Sequence, residues 1–183
     1  MNKNPEELKI VTCHLGNGSS ITAVNGGKCV DTSMGFTPQD GVPMGTRSGD
    51  IDPSVVFHMI DQLGYTSEEV SRILNKESGL KAMFGSSDMR DVDAGFNAGN
   101  PRAIVGRNLY YSKVAGFVGS YAVEMNGVDL IIFTGGVGEN SSDLREYVCN
   151  HLEFMGVKYD ADINNATHGD DAMISTADSK VKV

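Results

Sequence analysis

The chain has 183 residues, 40% apolar and 21% charged, the make-up of a soluble globular protein of ordinary domain size. A formal charge of −9 and a pI near 4.8 argue against non-specific nucleic-acid binding, which requires a basic footprint. No apolar run approaches the roughly 20 residues needed to span a bilayer, and the opening "MNKNPEELK" lacks the apolar core of a signal peptide, so the expected address is cytoplasmic, with no membrane partner. In chain order, "LKIVTCHL" (8–15) reads as a strand, and "SSITAVNGGKCVDTSM" as two more, joined by a hairpin with Asn25-Gly26 as its turn. "GNGSS" between the first two is therefore a strand-to-strand turn. A glycine-rich stretch follows. "DPSVVFHMIDQLG" predicts a helix capped by Asp52, with Pro53 at its first position and Gly64 after its end. "TSEEVSRILNKE" opens on a capping box, Thr66 with Glu69.

The segment 78–92 reads as loop with a short helical piece. Pro101 to Met125 is the longest predicted helix, its apolar face supplied by Ile104, Val105, Leu109, Val114, Phe117, Val118, Tyr121 and Met125, with Gly116 and Gly119 permitting close packing. Asn126-Gly127 stops it. "VDLIIFT" (128–134) reads as a strand covered on both faces, "GGVGEN" as a glycine turn, and 141–155 as a helix. The last 25 residues are polar and ambiguous, yet "KVKV" alternates like a strand and then stops, which suggests a piece of a longer protein. With no internal repeat and no long linker, residues 1–183 are expected to form one α/β domain. The three cysteines (Cys13, Cys29, Cys149) make no CxxC pair and are expected to be reduced, mostly buried thiols.

Twenty-two glycines cluster at the ends of predicted strands or the starts of helices, where backbone approaches a ligand. "TGGVGEN" after an apolar strand presents N–H groups to a phosphate or nucleotide, or is an unliganded tight turn; it is neither GxGxxG nor a P-loop. In "HLGNGSS" five small residues exceed the two a hairpin turn needs, leaving hydroxyls and N–H groups that suit phosphate oxygens; the plain alternative is a bulged hairpin with an incidental histidine. In "MGTRSGDIDP", Arg47 offers a planar fork matched to carboxylate or phosphate. A loop arginine is usually a solvated charge, but Pro43 and the helix cap that follows argue for a held loop. Asp88 and Arg90 in "SSDMRDV" read as a local ion pair worth less than about 1 kcal/mol. His58, His151 and His168 make no zinc spacing, and the acidic "ADINNATHGDDA" reads as a solvated loop before a metal site.

Taken together and in order, "TCHLGNGSSI", "DTSMGFTPQDGVPMGTRSGDIDP", "SSDMRDV" and "FTGGVGEN" resemble segments of the acetate kinase (acetokinase) family, over essentially the whole chain. Propionate and butyrate kinases share much of the pattern, so a half of one of these is the alternative, as is a non-catalytic nucleotide-binding module. The resemblance implies an actin-like, sugar-kinase and Hsp70-type (ribonuclease H-like) ATPase domain, an α/β fold with a mixed β-sheet flanked by helices. It also implies that 1–183 is the family's C-terminal nucleotide-binding domain, with the N-terminal domain and the extreme C-terminal segment absent. ATP or ADP with Mg²⁺ would lie along this domain. His14, Leu15, Gly16, Asn17 and Gly18 would approach the phosphates; Asp88, Met89 and Arg90, with Gly135, Gly136, Val137, Gly138 and Glu139, would wall the adenosine; and Arg47 falls on the catalytic arginine. No residue is assigned as a metal ligand. The reaction implied is reversible phosphorylation of acetate to acetyl phosphate, in a homodimer paired through this domain. Because further catalytic residues lie in the family's other half, the isolated chain is expected to lack useful activity.

Overall fold

The computed structural model describes residues 4–183, so the first three residues of the "MNKNPEELK" stretch lie outside the described residues. The elements in chain order are β1 (Lys9–Leu15), β2 (Ser19–Asn25), β3 (Lys28–Thr32), α1 (Pro53–Asp61), α2 (Ser67–Lys76), α3 (Gly79–Phe84), α4 (Met89–Asn97), α5 (Pro101–Glu124), β4 (Leu130–Thr134), α6 (Gly135–Asn140), α7 (Ser142–His151) and α8 (Ala161–Ala166). Contacts group them into two compact units, one made of the chain up to Ser33 with Tyr111–Val183, the other of Met34–Tyr110.

The first unit is built on a mixed sheet of order β3-β2-β1-β4, antiparallel except for the parallel pair β1–β4. Alternation decides its faces. Val11, Cys13 and Leu15 of β1 are fully buried, as are Ile21 and Ala23 opposite them, and Ile131 of β4 is nearly so. They share a core with Val114 and Val118 of α5 and Leu144 and Val148 of α7. The intervening residues Thr12 and His14 face outward, with His14 exposed. The β2–β3 turn is one residue later than its sequence suggests. Asn25 pairs with Lys28, and Gly26 and Gly27 take the left-handed conformations (φ +59° and +78°) that a type I′ turn requires. At Gly26 a side chain would also meet the Glu6 carbonyl at 2.8 Å.

Five further expectations need correcting. β4 is not covered on both faces, since Ile132 is exposed. "GGVGEN" is not a loop: it forms α6, and α7 ends at His151 rather than continuing to 155. The glycines Gly116 and Gly119 of α5 face open space, whereas Gly106 is the one packed, against Met83 and Leu80. Val105 and Leu109 are likewise exposed; the buried side of α5 is carried by Tyr110, Tyr111, Val114, Val118 and Tyr121. The closing "KVKV" forms isolated bridges rather than a strand of the sheet: Ile131 donates to the Lys182 carbonyl (2.8 Å) and Lys182 to that of Asp129 (2.9 Å) beside β4.

In the second unit, α1 starts as its sequence demands, with Asp52 accepting from the Ser54 N–H and Pro53 at the first position. The Thr66–Glu69 capping box of α2 is made in both directions. Segment 78–92, read as mostly loop, holds α3 and the start of α4. The missed signal is Asp88, which accepts from the Arg90 N–H as the cap of α4. Val42, Met44, Val70, Leu74, Leu80, Met89, Val92 and Tyr110 form the core of this unit. No described helix is long and apolar enough to cross a membrane.

Candidate functional site

The parallel strands β1 and β4 end side by side, with His14 in register with Thr134. In open sheets this carboxyl end is where ligands are bound. From β1 the chain turns through Gly16, Asn17 and Gly18 into β2. The Gly16 N–H is taken by the Gly18 carbonyl (3.0 Å), and the Ser19 hydroxyl donates to the Gly16 carbonyl (3.1 Å). Ser19 is therefore turned inward, fully buried, and not left over for a ligand. Among the described residues, no acceptor takes the N–H groups of Asn17 and Gly18. Gly16 has an ordinary φ, and a Cβ there would meet only the Gly18 carbonyl, at 3.4 Å. The fold itself does not demand a glycine at that position.

From β4 the chain enters α6 at once, and this brings the two glycine motifs together. Gly135 (φ +79°) lies on the backbone of Leu15, where a Cβ would stand 2.7 Å from the Leu15 carbonyl oxygen. Gly138 lies close to Phe133 and to the Cys13 carbonyl. Glu139 folds back along α6, so that Oε1 accepts from the Gly135 N–H (2.8 Å) and the Thr134 hydroxyl (3.3 Å). The Gly135 N–H is thus already used by its own helix. Thr134, Gly138 and Glu139 help line a cleft of about 400 Å³ beside β4, a volume within the range of small-molecule sites.

Arg47 belongs to the second unit, on a loop tied at many points. Gly41 and Asp50 close its mouth through reciprocal bonds of 2.8 Å. The Met44 N–H donates to the Arg47 carbonyl (3.0 Å), and the Ser48 N–H to that of Leu74 (2.9 Å). Three N–H groups at the start of α3, those of Ser78, Leu80 and Lys81, donate to Thr46, Met44 and Gly45 respectively. Loop carbonyls thereby satisfy helix donors that otherwise have no partner. Glycines at 49 and 79, both with positive φ, let the strands of the loop approach closely. The small residues around Arg47 thus make a tight, cross-braced platform rather than a mobile one. The half-buried guanidinium donates to Met44 Sδ (3.5 Å), and no described carboxylate pairs with it. A thioether is a weak acceptor, so the fork keeps donor capacity for a stronger one.

In the same unit Asp88 and Arg90 form the local pair read from the sequence, Arg90 Nε to Asp88 Oδ1 at 3.0 Å. The Arg90 guanidinium and backbone N–H hold the Asp88 carboxyl down at about 2. Met89 is buried, and Arg90 is exposed. Among the described residues no group of three His, Cys, Asp or Glu side chains could hold a metal. Cys13 and Cys149 are buried, with burial pushing the Cys149 thiol up to about 12, while Cys29 is exposed.

The chain as a whole has close relatives. A family model described as the Acetokinase family matches residues 1–183. The chain belongs to this family. It is 52% identical to an acetate kinase of Bacteroides fragilis over 180 residues, which is 98% of this chain and 45% of that protein. The crystal structure of Porphyromonas gingivalis acetate kinase superposes with a TM-score of 0.94 at 42% identity, covering 97% of this chain and 45% of that one. A propionate kinase structure from Francisella tularensis gives 0.88 at 40% identity, over 96% and 45%. The chain thus spans about half the length of the acetokinases it matches. Its fold is theirs, the actin-like and sugar-kinase-like α/β fold with a mixed sheet flanked by helices.

Two features of the acetokinase chain escape sequence reading. Asp93 and Arg107 form a mostly enclosed pair (2.9 Å) with the guanidinium 3.9 Å over the Phe96 ring; a charge amid the apolar positions of α5 was its only signal. Arg145, three residues after the Ser142 start of α7, is buried, and nothing in its surroundings in sequence announces that.

Proposed function

We propose that this chain is the nucleotide-binding half of an ATP-dependent carboxylate kinase that interconverts acetate and acetyl phosphate in the cytoplasm. The observation that carries the proposal is the meeting of its two glycine motifs at the carboxyl ends of β1 and β4, where Gly135 lies on Leu15 beside the unpaired N–H groups of Asn17 and Gly18. Those N–H groups and His14 would receive the phosphates. Gly135–Glu139 and the Asp88–Met89–Arg90 segment would wall the adenosine, and Arg47 would steady the carboxylate and the phosphoryl group in transit.

Acetate is already ionised at neutral pH, since carboxyl pKa values lie near about 4, so the reaction needs no general base. What remains is placement of two anions and neutralisation of charge on an in-line phosphoryl group. Arginine and oriented N–H donors supply both. Mg²⁺ travels with the nucleotide in such reactions; the described residues offer no carboxylate set to hold it, and no role is assigned to one.

The propionate kinase likeness supports a longer acid as the second reading. Pairing into a homodimer through this chain is supported by α1, an apolar helix that buries none of its residues and leaves Phe57 63% exposed. The coverage of about half of each relative supports a requirement for the family's other half. The 183-residue chain alone is therefore expected to form no acetyl phosphate, and turnover within the ordinary kinase range of about 1–100 per second would refute this. In a protein joining the chain to that other half, Arg47→Ala should lower kcat about a hundredfold or more. A loss of less than about tenfold would remove Arg47 from the catalytic role.

A further inference from the structure

Helix α6 carries the Gly135–Glu139 wall, yet of its six residues only Gly138 is buried. Apolar packing cannot fix such a helix in place. Its first residue is set against the Leu15 backbone, and its far end is held by Arg145. This guanidinium is 3% exposed, and all its donors are used. Nη1 donates to the carbonyls of Gly138 (2.9 Å) and Glu139 (2.8 Å) at the end of α6. Nη2 donates to those of Asn164 (2.8 Å) and Thr167 (3.0 Å) at the end of α8, and Nε to Asn164 Oδ1 (2.7 Å). Asn164 is itself fully buried and braced by donating Nδ2 to the Ser142 carbonyl (2.9 Å).

All five acceptors are neutral oxygens. Four are backbone carbonyls at helix ends, where partial negative charge favours a cation. Burial acts against the charged form and lowers the Arg145 pKa, so this arrangement is kept against a solvation cost. Lysine could not replace it, because a single ammonium cannot present two parallel pairs of donors to two helices.

We propose that Arg145 is a positioning residue of the nucleotide site, clamping the end of α6 to the end of α8 and so setting where the Gly135–Glu139 wall stands. The proposal rests on the nucleotide reading given above. Arg145 touches no reacting group in this scheme and acts only through α6.

The test compares Arg145→Lys with Val118→Ala, a core truncation in the same unit, using the 183-residue chain. Amide hydrogen exchange is followed by mass spectrometry, and MgADP binding by calorimetry. Arg145→Lys should speed exchange in 136–141 and 164–169 about tenfold or more relative to β1, and weaken MgADP about fivefold. Val118→Ala should instead speed exchange across β1 and β2 and leave MgADP affinity within about twofold. Should Arg145→Lys fail to fold, Asn164→Ser, which removes the Nε acceptor, carries the same expectation. Wild-type protection of α6 in these variants, or acceleration spread as in Val118→Ala, overturns the clamp. A wild-type chain that binds no MgADP counts against the nucleotide reading, and the exchange pattern still decides the clamp.

Discussion

Replacing Gly79 by alanine tests whether the Arg47 platform is as tightly built as its hydrogen bonds indicate. Gly79 has φ +61°, and a methyl group there would fall on the Met44 carbonyl oxygen and stand 2.6 Å from that of Arg47. The left-handed conformation alone costs a non-glycine residue about 1–2 kcal/mol. Relieving the overlap requires the 44–47 turn to move, an overpacking cost of about 1–3 kcal/mol. The control is Gly99→Ala, with φ +73° and nothing within 4 Å, which carries the conformational cost without the clash. Urea unfolding of the two variants should therefore differ by about 1–3 kcal/mol, with Gly79→Ala the less stable. In a protein joined to the family's other half, the same shift of Arg47 should lower kcat about a hundredfold, because a misplacement of about 1 Å has that effect. Equal stability for the two variants would refute the platform argument.

Gly16→Ala should leave stability within about 0.5 kcal/mol, since the position has ordinary φ and room for a methyl, while weakening MgADP binding about tenfold or more by crowding the turn. Calorimetry and urea unfolding separate the two effects. Ellman's reagent should titrate Cys29 quickly in the native chain and reach Cys13 and Cys149 only after denaturation; fast reaction of a second thiol would show that the core opens readily. Because Arg90 depresses the Asp88 carboxyl to about 2, that group's contribution is present above the unfolded value of about 3.9 and is lost as pH falls toward 2. Asp88→Asn keeps a capping oxygen, so its melting temperature should fall less than that of wild type between about pH 5 and 2; parallel curves would contradict the assignment.

Much of this was legible in the sequence because it is written in local chemistry. The capping box at Thr66, Pro53 after Asp52, and the alternation of Val11, Cys13 and Leu15 each act over a few residues, and the structure follows them. The errors arise where a distant contact decides. "GGVGEN" looks like a loop because glycine is a poor helix former, yet Gly135 and Gly138 are small enough to lie on β1, and Arg145 holds the end. Val105 and Leu109 belong to an apolar pattern whose burial depends on neighbours that the spacing does not reveal. Arg145 itself was invisible, since an arginine in the first turn of a polar helix gives no sign of burial. The two glycine motifs stand out one by one in the sequence; the direct seating of one on the other does not.

The most direct measurement is a titration of the ¹⁵N-labelled chain, whose 19.5 kDa suits amide NMR, with MgADP and in parallel with adenosine. The expected result is large shifts at Asn17 and Gly18 with MgADP only, and shifts at Gly135–Glu139 with both ligands. MgADP binding that leaves the Asn17 and Gly18 amides unmoved would contradict the phosphate cradle.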